Sequence, residues 1–148
     1  MMLAIQTAIR DRLLAYVPLT AQLAVAPEGG PAVYDHVPQP DDGGRGDAFP
    51  YVGVGDDTAI EWDADDSIGL EATVTLHTWS RYRGRAQCKS IQAAIKAALH
   101  RYDLPVASAR TVLVNFDFEE SLVEADGQTR HGVSRFRIIA EEEDIESS

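Results

Sequence analysis

The sequence predicts an α+β fold: a mainly antiparallel, four- to five-stranded sheet with two main helices packed on one face. Three observations predict it. Two segments carry apolar residues at helical spacing. Several others alternate apolar and polar residues with the strand period of two. The helices are also not interleaved one per strand, as a doubly wound parallel sheet requires. With 148 residues, 45% of them hydrophobic, the chain suits one domain with a buried core. The expected division is a single domain over residues 1–140, with mobile acidic loops at 40–48 and 56–67, followed by an acidic C-terminal tail at 141–148.

Met2 to Tyr16 reads as an amphipathic helix, because Ile5, Ile9 and Leu13 recur at i, i+4 and i+8 with Ala8 beside them. Pro18 is expected to end it, and Leu19 to Val25 to add a further helical turn or two from Thr20. Pro27, Gly29, Gly30 and Pro31 break the chain before a short strand at Val33-Tyr34. Tyr51 to Gly55 is a second short strand, entered through Pro50. Leu70 to Ser80 is the clearest strand: Leu70, Ala72, Val74, Leu76 and Thr78 alternate with Glu71, Thr73, Thr75, His77 and Trp79. Gly84 to His100 is the second helix, with Cys88, Ile91, Ile95, Ala98 and Leu99 on one stripe. Val112, Val114, Phe116 and Phe118 define one face of a strand at Thr111 to Phe118. Ser121 to Ala125 and Gln128 to Ala140 flank Asp126-Gly127, the strongest short hairpin signal in the chain.

Charge narrows the function. The net charge is −11, from 13 Lys and Arg against 24 Asp and Glu, which argues against a grip on nucleic acid or an anionic membrane. No run approaches the about 18 apolar residues of a membrane span. The N-terminal helix lacks a signal-peptide cleavage pattern. The single Cys88 excludes an intramolecular disulfide and a cysteine-based zinc cluster and fits a reducing cytosol. The charge is unevenly placed. Eleven acids and one base lie between Asp35 and Glu71, six bases and no acid between Ala72 and Tyr102, and five acids between Glu141 and Glu146.

The search for chemistry returns little. Asp63, Asp65 and Asp66 lack the ligand offsets of a calcium loop, so no metal is expected there. His36, His77, His100 and His131 show no zincin spacing, and His77 and His131 are placed to pair across the sheet. No G-x-S-x-G occurs, and Gly53-Val54-Gly55 is too short for a dinucleotide fingerprint. Arg45-Gly46-Asp47 reads as a chance tripeptide, and Cys88 as a small core residue. No catalytic residue and no cofactor is expected. The feature that stands out is Arg81-Tyr82-Arg83-Gly84-Arg85, joining the long strand to the second helix. With Trp79 it offers bidentate and cation–π contacts to an acidic partner. Arg residues at a helix N-terminus gain nothing from the dipole, which favours anions there.

Several stretches taken in order resemble a known family. They are Val33-Tyr34-Asp35 with Val37-Pro38-Gln39, then Pro50 to Gly55, then Leu76-His77-Thr78-Trp79-Ser80 with Gly84-Arg85-Ala86 and the Ala-rich helix. The last is Asp126 to Gly132 with Arg135-Phe136-Arg137. This order is similar to the tail-terminator, or tail-completion, proteins of long non-contractile-tailed bacteriophages and gene-transfer agents. The resemblance covers roughly residues 2–140.

It implies a structural virion protein with no catalysis or cofactor. In the virion it would form a ring, usually a hexamer, that caps the head-proximal end of the tail tube. That ring would end tube polymerisation and dock the head–tail connector or stopper. Its partners would be further copies of itself, the tail tube protein and the connector, with DNA passing through the channel unbound and no membrane involved. A closed ring needs two different complementary patches per subunit. Trp79, Arg81, Tyr82, Arg83 and Arg85 are the candidate subunit or partner interface. Asp41, Asp42, Asp56, Asp57, Asp63, Asp65 and Asp66 are candidates to face the channel or an axial partner, where an acidic wall avoids counterion-release binding of DNA. The rival expectations are another neck component, such as a connector stopper or tube-capping subunit, a monomeric cytosolic adaptor, and a small metal-dependent hydrolase using Asp63 to Asp66 with His77 or His131.

Overall fold

The computed structural model describes residues 1–35, 49–61, 63 and 68–142. Its elements are α1 (Met2–Ala15), α2 (Val17–Thr20), β1 (Val33–Tyr34), β2 (Tyr51–Glu61), β3 (Gly69–Ser80), α3 (Ala86–Leu99), β4 (Ala109–Val123) and β5 (Arg130–Glu142). The periodic residues of α1 that predict a helix are the ones it buries: Ile5, Ala8, Ile9 and Leu13. Tyr16 is extended and ends α1. Pro18 then lies in the first turn of α2, where its missing N–H costs nothing, so it opens a helix as well as following one.

The described strands form one five-stranded sheet in the order β1-β2-β3-β5-β4. β2, β3, β5 and β4 pair antiparallel, while β1 pairs parallel to β2 through Val33 with Val52 and Tyr34 with Gly53. Strand period decides which face each residue takes. Ala72, Val74, Leu76 and Thr78 of β3 and Ser134, Phe136, Ile138 and Ala140 of β5 are buried beneath the helices. Glu71, Thr73, Thr75, His77 and Trp79, with Val133, Arg135 and Ile139, lie on the helix-free face. Ile91, Ile95, Ala98 and Leu99 of α3 join Ile5, Ile9 and Leu13 of α1 over the sheet in one core. Full burial of a side chain such as Phe136 stabilises the fold by about 1.5–3 kcal/mol.

Polar and ring contacts lock the helices down. Arg12 of α1 donates from Nε to the Ala98 carbonyl at 2.9 Å, satisfying an orphan acceptor at the end of α3. Its guanidinium lies 3.7 Å from the Tyr102 ring centre and 4.9 Å from that of Tyr16. His100 accepts the Phe116 backbone N–H on Nδ1 at 2.9 Å, tying the end of α3 to β4. α3 also approaches β5 closely at Gly132, where a Cβ would stand 2.6 Å from Gln92 Nε2 and 2.9 Å from Cys88 Sγ. Gln92, itself buried, donates to the Glu120 carbonyl at 2.9 Å. Burial pushes the Cys88 thiol pKa up.

The structure corrects the expected fold class. Strand outweighs helix, 44% to 26%, and the sheet is curled and mixed rather than mainly antiparallel, with three helices instead of two. Chain length permits the parallel β1–β2 pair, since residues 35–50 separate the two strands and parallel strands need a dozen or so between them. The third helix is α2, seeded by Pro18. The segment expected as a loop from Asp56 begins instead as strand: β2 continues through Asp56 and Asp57 to Glu61, paired with β3, after a bulge between Val54 and Asp57. β4 is one long strand rather than two, and a bulge between Phe116 and Phe118 turns Phe118 to the helix-free face opposite Arg135. β5 runs to Glu142, so the strand takes in the first two residues of the expected tail. The loop at 40–48, most of 62–67 and residues 143–148 lie outside the described residues. Among the described residues no helix is long and apolar enough to cross a membrane.

Candidate functional site

The hairpin end of the sheet gathers the chain's distinctive side chains. Tyr51, Trp79 and His131 occupy neighbouring positions on β2, β3 and β5, because Tyr51 pairs with Trp79 and Trp79 with His131. Their rings form a ladder. His131 stacks on Trp79 at 3.8 Å and 9°, Trp79 on Tyr51 at 6.2 Å, and Tyr51 meets Tyr34 edge-on at 5.6 Å. Phe49 joins Tyr51 at 5.2 Å, and the Arg81 guanidinium lies 4.2 Å from the Phe49 ring centre. Arg81 Nε also donates to Thr129 Oγ1 at 3.2 Å. Asp126 in turn accepts from the Thr129 hydroxyl and from the backbone N–H groups of Thr129 and Gln128. Those three hydrogen bonds, that of the Thr129 hydroxyl first, hold its carboxyl down at about 2.

His77 extends the ladder through a hydrogen-bonded relay. Its Nδ1 lies 2.7 Å from His131 Nε2, and His131 Nδ1 lies 2.8 Å from Glu124 Oε1. Assigned from this network, Glu124 accepts from His131 Nδ1–H, and His131 Nε2 accepts from His77 Nδ1–H. His77 Nε2 is then unprotonated and faces Gly55, where a Cβ would stand 2.4 Å from it. Desolvation, with His131 adding to it and Asp56 opposing, holds the His77 pKa below its ordinary 6.5. The cross-sheet histidine pair expected from the sequence is therefore made, and its hydrogen bond holds both rings in place.

The structure divides the expected interface residues. Trp79 is half-buried in the ladder and Arg81 is engaged by Phe49 and Thr129. Tyr82, Arg83 and Arg85 are exposed, Tyr82 at 58%. Arg85 is the N-cap residue of α3, with no side-chain capping bond and no acid in the first turn. Uncapped helix N–H groups thus stand beside exposed cations, an arrangement that attracts anions.

The acidic candidates are spread more widely. Asp56 and Asp57 are exposed at the β2 bulge. They border an open depression of about 510 Å³ on the helix-free face, with Thr73, His77, Asp117 and Arg135. Asp63 is exposed and accepts the Gly69 N–H at 3.1 Å. Asp41, Asp42, Asp65 and Asp66 lie outside the described residues. Of the hydrolase candidates among the described residues, Asp63 is not brought to His77, which lies about 26 Å along β3 from the Gly69 end that Asp63 holds, at about 3.3 Å per residue. Among the described residues, no cluster of three or more His, Cys, Asp or Glu is placed to hold a metal.

Sequence reasoning missed the ladder partners Tyr34, Tyr51 and Glu124. Tyr51 was legible only through register, since it lies on the Trp79 face once β2 pairs with β3. The resulting surface has aromatic anchors and opposite charges at different corners, the equipment of an assembling structural protein. Comparison with known proteins decides the family: the description "Tail completion protein gp17" belongs to a family whose profile matches residues 7–141. The chain belongs to the gp17 tail-completion family. The tail completion protein gp17 of Bacillus phage SPP1 is 25% identical over 134 residues, 90% of each chain. A chain in the solved virion of a native gene transfer agent particle superposes with a TM-score of 0.79 at 26% identity, covering 93% of this chain and 94% of that one. The gp17-family protein described here is a structural component of a phage-type tail, located in the virion. Its family is one of structural tail proteins rather than enzymes.

Proposed function

We propose that this protein closes the head-proximal end of the tail tube as a ring, stops tube polymerisation there and offers the head–tail connector its docking surface. The observation that carries this is the family match over residues 7–141, together with a virion chain that shares the fold along nearly its whole length. The chemistry agrees with the role. An acidic chain lets DNA slide past without the counterion release that a basic wall would drive. The proposed ring, a hexamer, brings the exposed Tyr82, Arg83 and Arg85 against acidic surface of a neighbouring subunit or partner. Trp79 and Arg81 stiffen the turn from behind. Asp41, Asp42, Asp63, Asp65 and Asp66 are proposed to face the channel or an axial partner, the role also expected for Asp56 and Asp57, which the β2 edge instead offers to a neighbouring copy. Particles assembled without the protein test the role. Electron microscopy is expected to find overlong tails, or tails of normal length that fail to join heads. Particles of normal length joined to heads would refute it.

A further inference from the structure

Two surfaces toward opposite ends of the strands are each incomplete. At one corner, among the described residues, β2 beyond Gly55 is hydrogen-bonded to β3 on one side only, since β1 reaches no further than Gly53. Residues 56–61 are exposed on both faces of the strand, including Ile60 at 62%. Open edges of this kind invite a partner unless they are blocked. The blocking lysines and prolines common on edges are missing here. Asp56, Asp57 and Glu61 stand there instead, so a fitting partner is basic. The other open edge of the sheet, β4, carries Asp117, Glu119 and Glu120 and repels it.

At the other corner, α3 begins without a cap at Arg85, among exposed Arg83, Arg85 and Lys89. Arg130 lies at the start of β5 opposite Ser80, whose hydroxyl donates to Gln87 in the first turn of α3. The Arg130 Nε and Nη1 are shielded from solvent and have no hydrogen-bond partner among the described residues. Uncapped helix N–H groups and exposed cations share the start of α3, and Arg130, Lys89 and Glu119 all act on Cys88 in its first turn, so cations outnumber acids there.

We propose that the acidic open edge of β2 in one copy seats against the uncapped start of α3 in the next, with Asp56, Asp57 and Glu61 facing Arg83, Arg85 and Lys89. The open part of β2 lies at one side of the sheet and α3 begins over β5 on its helix-covered face, at opposite ends of strands about 36 Å long. One pair of subunits cannot satisfy both contacts at once, so the contact is head-to-tail and propagates, closing into a ring where the rotation allows. This pairing rests on the ring reading above and specifies which surfaces make it.

Charge reversal tests it, read by sedimentation velocity at low salt over a broad concentration range. The wild type is expected to associate beyond a dimer. Arg83→Glu with Arg85→Glu, and separately Asp56→Lys with Asp57→Lys, are each expected to stay monomeric. An equimolar mixture of the two variants, in which every contact regains opposite charges, is expected to associate again, as is the chain carrying all four changes. Neutral versions, R83Q with R85Q, are expected to weaken association at least tenfold and guard against misfolding of the reversed chains, with circular dichroism checking each. Variants that associate like the wild type, a mixture that stays monomeric, or a wild type monomeric throughout would overturn the pairing. Tails that fail without the protein, alongside charge variants that assemble normally, would overturn the pairing and leave the tail role standing.

Discussion

Gly55 is the point where the histidine relay meets the β2 bulge, and replacing it with Ala tests whether the relay is as rigid as its geometry implies. The new Cβ would stand 2.4 Å from His77 Nε2 and 3.2 Å from the Thr75 carbonyl oxygen. A free histidine ring would swing away at little cost. This one is held 2.7 Å from His131 and flanked by Trp79, so retreat breaks the His77–His131 hydrogen bond. Losing that bond costs about 1 kcal/mol, and forcing extra volume into a packed site costs about 1–3 kcal/mol. Gly55→Ala is therefore expected to destabilise the protein by about 2–4 kcal/mol, lowering the melting temperature by roughly 5–12 °C for a domain of this size. His77→Ala alone is expected to cost about 1–2 kcal/mol, since the His131 acceptor regains water. The double variant removes the group that clashes, so it is expected to be no less stable than Gly55→Ala alone, with a coupling of at least about 1.5 kcal/mol. Urea unfolding followed by tryptophan fluorescence and circular dichroism measures all four corners of the cycle. Effects that add within about 0.5 kcal/mol would refute the locked ring.

Other consequences follow from the same packing. Because the His77 pKa is held below its ordinary 6.5 in the folded chain, the unfolded chain takes up its proton first as pH falls. That contribution to stability is complete above 6.5, declines as pH drops below it and levels off beneath the lowered folded value. Urea midpoints at about pH 7.5 and about pH 5.5 are expected to differ less for His77→Asn than for the wild type. Gly132→Ala would drive a Cβ into Gln92 and Cys88, and is expected to cost about 2–4 kcal/mol by overpacking and by loosening the Gln92 bond to the Glu120 carbonyl, read as a lower thermal midpoint. Arg12→Lys keeps the charge but loses the planar stack on Tyr102, and is expected to cost about 1–2 kcal/mol in urea unfolding, with Arg12→Ala costing more. The Asp126 carboxyl is expected to stay ionised to about 2, so its turn hydrogen bonds, present above the ordinary 3.8, are lost only as pH falls through about 2, visible in the amide resonances of Gln128 and Thr129.

Elements defined by their own periodicity were legible. Ile5, Ile9 and Leu13 mark the buried side of α1, and the alternation of Leu70 to Ser80 assigns the correct face to each residue of β3. Asp126-Gly127 marks the turn between β4 and β5. The misses have a common physical origin. Asp56 to Glu61 look like loop because their charges give no alternation, yet pairing with β3 supplies the hydrogen bonds that make them strand. Phe118 continues the alternation of Phe116 in sequence, but one bulge reverses its face. Trp79 stacks between Tyr51 and His131 because the register of three strands aligns their rings, while Arg81, still exposed, reaches the Phe49 ring.

By itself the sequence determined what local chemistry can determine. It set the stripes of α1 and α3, the alternation of β3, the hairpin turn, the uneven placement of a net charge of −11 and the resemblance to a tail-completion family. These depend on residues within a few positions of one another, or on order along the chain. Tertiary structure alone decided the parallel β1–β2 pair, the extension of β2, the Glu124–His131–His77 relay and the placing of Arg130 opposite Ser80. Each joins residues far apart in sequence, and their meeting depends on strand register, which no local pattern encodes when a bulge or a crossover intervenes.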